Sequence, residues 1–151
     1  EEHAELRLPD RRPFRLQTRK ADRDGGVAVG LGDLLYFAGR MALDRVIVGD
    51  VRWQDASECL HLLAGRTVPV LVALPGLTAE DALLRLESLA RAAATNGRER
   101  AVTGLVQAGI ELVVTLGRVE GQRALQSVDR VLRGGAELRF APLFVRRSVP
   151  S

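Results

Sequence analysis

The residue with the plainest chemical potential is Asp50. It follows the run Val46-Ile47-Val48-Gly49. An acid just after a short apolar strand is how a buried parallel strand of an open α/β sheet offers a carboxylate to a ligand at its C-terminal tip. The same position also suits a helix N-cap or an ordinary loop charge. Cys59 is the only cysteine, which excludes an internal disulfide and a multi-cysteine metal site. It is expected to be a small buried hydrophobe in mid-helix. His61, on a mostly apolar face of that helix, is expected to pack as a structural residue. His3 has no cysteine or histidine at ligand spacing, so metal binding is not expected there.

The elements that must position these groups follow from apolar periodicity. Ala4 to Leu8 and Phe14 to Thr18 read as short strands about a Pro-Asp-Arg-Arg-Pro turn, and Lys20 to Gly26 as a charged loop. Asp33 to Met41 reads as a helix, followed by the strand Val46 to Val48. A second helix is expected over Asp55 to Ala64 and a second buried strand over Val68 to Leu74. Thr78 with Glu80 and Asp81 marks a helix start, running to about Ala94 with Leu83, Leu86, Leu89 and Ala90 inward. A short helix from Arg98 to Gln107 leads to a strand from Glu111 to Leu116. Strands from Arg123 to Val131 and from Ala136 to Val145 flank a Gly134-Gly135 turn. Strands interleaved with helices predict an α/β fold with an antiparallel C-terminal end.

The chain of 151 residues is 46% hydrophobic, enough for one core, and one domain covering residues 1–151 is expected. No apolar run approaches the ~18 residues of a membrane span, and Glu-Glu-His-Ala-Glu does not read as a signal peptide, so a cytoplasmic location is expected. The formal net charge is +3, and nearly all the basic residues are arginine, Lys20 being the only lysine. Arginine suits bidentate clamps on phosphate or carboxylate. The basic residues are scattered and aromatics few, so nucleic-acid binding is not expected.

Several motifs, taken in order, resemble the traffic ATPases of type II/type IV secretion and tight-adherence pilus assembly. Glu1-Glu2-His3-Ala4-Glu5-Leu6 resembles their acidic box, and Leu16-Gln17-Thr18-Arg19 their Leu-Glu-Thr-Arg. The stretch from Arg40-Met41 through Asp44-Arg45-Val46-Ile47-Val48-Gly49-Asp50-Val51-Arg52 resembles their Walker B segment, which ends Gly-Glu-Val-Arg. Asp81-Ala82-Leu83-Leu84-Arg85-Leu86-Glu87 resembles a further block, and Ile110 to Arg118 a later strand and its exit. The resemblance implies a RecA-like P-loop NTPase core with a mainly parallel sheet flanked by helices. It also implies ATP and magnesium as cofactors, a homo-oligomeric hexameric ring, and docking on the inner-membrane platform of a secretion or pilus system at the cytoplasmic membrane face.

By the same resemblance, Asp50 and Glu2 are the candidate catalytic residues and the magnesium ligands, through water. Glu1, Glu2, Asp50, Arg19 and Arg52 are the candidate nucleotide-binding set, with Arg19 facing phosphate charge. The departures point to weakened or lost hydrolysis. No G-x-x-x-x-G-K-[ST] occurs, so the phosphate cradle is missing, and the chain is expected to be the C-terminal portion of such a domain. Asp50 stands where the family has glutamate, one methylene longer. Leu71-Val72-Ala73-Leu74-Pro75-Gly76 stands where the family has a histidine box, and Trp53 where it has glycine. Trp53 is expected to anchor a surface or interface. The alternative reading is a non-catalytic structural or regulatory subunit of the same machine.

Overall fold

A computed structural model describes residues 1, 3–8, 13–21, 26–49, 51, 55–93, 101–135 and 137–146. Helix α1 (Leu31–Arg40) turns Leu31, Leu34, Leu35 and Ala38 inward, and its start is fixed by the Asp33 carboxylate accepting the Gly30 N–H at 2.9 Å. Strand β1 (Val46–Val48) is followed by α2 (Ala56–Gly65), which buries Ala56, Cys59, Leu60 and Leu62. Arg66, in the left-handed region at φ 52°, ends α2. Strand β2 (Val70–Val72) then lies parallel to β1, with Val46 opposite Val70 and Val48 opposite Val72. The unit β1–α2–β2 is a crossover connection of the kind parallel pairing requires.

Helix α3 (Ala79–Ala93) begins as its sequence predicts. The Thr78 Oγ1 accepts the Asp81 N–H at 3.1 Å, while the Asp81 carboxylate accepts the Leu77 N–H at 2.8 Å. Leu83, Leu86 and Ala90 are buried. Helix α4 (Val102–Gly109) buries Val102 and Val106 and runs close to α2. A Cβ on Gly109 would lie 2.8 Å from the Leu63 Cβ and 2.9 Å from the Ala64 nitrogen, so only glycine permits this approach. The Glu87 carboxylate, buried on α3, accepts from Arg91 at 2.6 Å and from the Thr103 hydroxyl, which fastens α3 to α4.

Strands β3 (Leu112–Val119), β4 (Gln122–Leu132) and β5 (Arg139–Val145) form an antiparallel sheet in the order β3-β4-β5. Glu120 and Gly121, at φ 50° and 79°, make the two-residue turn between β3 and β4; left-handed values at both positions match the twist of a tight hairpin. Register shifts fall at Thr115/Leu116 and at Val128/Asp129. Val131 is buried in the core, against which Val113, Leu138 and Phe140 also pack.

The architecture is therefore mixed α/β, with a small parallel pair and a larger antiparallel sheet. The expected mainly parallel sheet is corrected: among the described residues only β1 and β2 pair in parallel. Because a two-residue turn joins β3 to β4, those strands must run antiparallel. The strands expected over Ala4 to Leu8 and Phe14 to Thr18 are not formed either; the described residues there are irregular, beside an isolated bridge between Arg19 and Val29. Among the described residues no neighbouring strand supplies them with a ladder, and Phe14 is exposed. His61 is also exposed, with its Nδ1 2.7 Å from the Ser57 carbonyl oxygen, so it is not packed as expected. Cys59 is fully buried.

Candidate functional site

The C-terminal tip of β1 is built from the inside out. Val46 and Val48 are buried, which fixes the strand's direction and brings Gly49 to the surface of the core. Glu1 and Leu6 lie against that tip. A Cβ on Gly49 would meet Leu6 Cδ1 at 3.5 Å and the Glu1 Cβ at 3.7 Å, ordinary contact distances. The Thr18 N–H donates to the Glu1 carbonyl at 3.2 Å, so the stretch leading into Arg19 lies alongside. Three segments from distant parts of the sequence, at Glu1, Thr18 and Gly49, thus meet at one strand end.

The side chains there are engaged with their own backbone. Glu1 Oε2 accepts the N–H groups of Leu6 at 3.0 Å and Glu5 at 3.2 Å, and Oε1 accepts from Arg15 at 3.2 Å. The Leu6 N–H foremost holds the Glu1 carboxyl below its usual value against partial burial, with the terminal ammonium, Glu5 and Arg15 contributing. Arg19 donates to the Val27 carbonyl at 3.1 Å, and its backbone exchanges hydrogen bonds with Val29 at 3.0 and 2.8 Å. Its guanidinium closes its own loop. Asp50, Glu2 and Arg52 lie outside the described residues, as does Trp53.

One buried acid was not singled out as a site residue by the sequence. Asp55, buried at the start of α2, accepts the Gly32 N–H at 3.1 Å and so ties the start of α2 to the start of α1. Its position just before a helical run was a capping signal, but the partner lies 23 residues away and no local pattern reveals it. Asp55 also acts on Cys59. Burial first, and then the Asp55 charge, push the thiol up to about 12, so it is a protonated core group.

Glu1 is satisfied by its own chain, Arg19 by its loop, and no group of three or more His, Cys, Asp or Glu side chains among the described residues could hold a metal ion. Among the same residues no helix is long and apolar enough to cross a membrane. What the tip offers is a glycine-ended strand, flanked by an acidic segment, leading directly to Asp50. No protein-family profile matches the chain, and no curated protein matches it.

Proposed function

We propose that this chain is the C-terminal portion of a RecA-like ATPase domain from a type II/type IV secretion or pilus motor, with hydrolysis weakened or lost. The observation that carries the reading is the convergence at one strand end. The acidic stretch at Glu1 packs against Gly49 immediately before Asp50, and the Thr18–Arg19 segment lies beside it. These are the motifs whose order in the sequence resembles the traffic ATPases. The parallel unit β1–α2–β2 supports it further, as does β1's lack of a second strand neighbour among the described residues, where the reading has a central strand. On this reading ATP would be held with Glu1, Glu2, Asp50, Arg19 and Arg52, and magnesium with Asp50 and Glu2 through water, within a hexameric ring at the inner-membrane platform.

The alternative is a non-catalytic subunit that keeps the fold for assembly. It is favoured by the self-satisfied Glu1 carboxylate and by Leu71-Val72-Ala73-Leu74-Pro75-Gly76, which carries neither histidine nor asparagine. The deciding experiment is magnesium-dependent binding and turnover of ATP by the native, uncleaved gene product and by its Asp50→Ala variant. Turnover lost in the variant, with the circular dichroism spectrum kept, supports the motor. Turnover unchanged removes Asp50 from the mechanism. No binding to either protein leaves the assembly role.

A further inference from the structure

The solvent side of the antiparallel sheet has the wrong chemistry for a face left to water. Paired residues in a sheet share a face, so the register places Leu112, Val114 and Leu116 of β3 in one surface with Val128 of β4 and Phe144 of β5. Val114 is 55% exposed and Leu116 65%. An antiparallel sheet with one wet face ordinarily alternates apolar-in with polar-out, yet here the exposed face carries Leu112, Val114, Leu116 and Phe144, while Thr115, Ser127 and Asp129 stand on the other. Arginines bracket the patch. The Arg118–Arg123 pair lies at the hairpin end and Arg130 at the other, followed by Arg139, all exposed. Among the described residues none of these arginines is ion-paired with a carboxylate, and the strand residues of this face include no acid. At the Leu112 end the face meets a cleft of about 460 Å³ lined by Glu111, Leu112, Arg130 and Arg133.

We propose that this face docks an amphipathic α-helix with acidic flanks, supplied in trans. The dimensions fit one helix. From Leu112 to Arg118 is ~20 Å along the strand, and the outer strands are ~10 Å apart, the length of a helix of about 14 residues and the width of one. The helices of this chain that reach the sheet pack on its other side, so a helix here completes the layer that α/β architecture leaves open. Charge selects among occupants. A second copy laid face to face would bring together ends where arginine outnumbers acid, Arg118 and Arg123 beside Glu120 at one and Arg130, Arg133 and Arg139 beside Glu111 at the other. An occupant with glutamates beside its apolar stripe would pair with both ends.

The test is a titration of the isotope-labelled native, uncleaved gene product with a synthetic peptide of about 16 residues, leucine at i, i+3, i+4 and i+7 spacing and glutamate on the flanks. A control peptide has lysine in place of every glutamate. We expect the acidic peptide to shift amide resonances in β3–β5 and to lose about tenfold in affinity for Arg118→Glu/Arg130→Glu. It should lose binding to Val114→Lys, whose fold is checked by circular dichroism. Equal binding of the lysine peptide, or shifts confined to other elements, overturns the proposal. A free chain that sediments as a dimer dispersed by Val114→Lys overturns it in favour of self-association. Flotation with phosphatidylcholine–phosphatidylglycerol vesicles that the acidic peptide does not compete away overturns it in favour of a lipid surface.

Discussion

The helical layer around β1–β2 and the antiparallel sheet β3–β5 use similar residues to opposite effect. Leu60, Leu83 and Leu86 in the helices are buried to 2% exposure or less, while Leu112 and Leu116 in β3 are more than half exposed. Composition does not separate the two regions; geometry does. Helices α2, α3 and α4 contact one another and share one apolar interior, whereas the sheet offers one face to that interior and leaves the other open. Apolar residues in this chain therefore mark two kinds of surface, one already covered and one awaiting cover.

The largest effect should come from testing that contrast directly. Leu86→Ala should cost about 2–5 kcal/mol in urea or guanidinium unfolding, because it opens a cavity among fixed helices. Val114→Ala, on the open face, should cost under about 0.5 kcal/mol. Similar costs for both would mean that the face is covered in solution.

The joint between the regions should come next. Gln107, buried on α4, donates from its Nε2 to the carbonyls of Gly135 and Glu137 at 3.3 and 3.2 Å and accepts the Gly134 N–H at 3.2 Å. One amide thus holds the β4–β5 turn against the helices. Gln107→Ala should cost about 1–3 kcal/mol and lower hydrogen-exchange protection in β5 more than in α3. Equal loss of protection in both would show the two regions opening as one unit.

The smallest effect concerns the helical interior alone. Burial and the Asp55 charge push the Cys59 thiol up to about 12 in the folded chain, from an ordinary value of 9.0. The unfolded thiol therefore loses its proton first, and stability is complete below pH 9 and falls as pH rises above it. The loss at pH 9.5 should be under about 1 kcal/mol. It should be absent in Cys59→Ala. An equal slope in that variant would assign the alkaline loss to other groups.

The helical region was the more legible in sequence. Val46-Ile47-Val48 forms its strand at the expected residues because a β-branched run fits a buried ladder, and Thr78 caps its helix because hydroxyl and acid stand at the right spacing. The same reasoning failed at Ala4 to Leu8 and Phe14 to Thr18, where alternation met no partner strand. His61 misled because it neighbours Leu60 and Leu62 in sequence yet stands about 100° around the helix from each, in solvent. At the site, the packing of Glu1 on Gly49 was not read from the sequence, since no local pattern links residues so far apart; only the resemblance put Glu1 and Asp50 in one set. Arg19's attachment to Val27 was not legible at all, because a long flexible cation gives no sign in sequence of which carbonyl it will reach.

The turn at Glu120–Gly121 has a consequence in time. It brings Val119 to Gln122, a separation of 122 − 119 = 3 residues, whereas β1 reaches β2 only across 70 − 46 = 24. Chain-closure entropy disfavours the longer loop by roughly 2 kcal/mol, and hairpins form in about 1–10 μs. The hairpin should therefore be among the first lasting structures in a refolding chain, as pulse-labelled exchange would register. Its arginine-bracketed apolar surface would then already be in place while the parallel pair is still searching for its register.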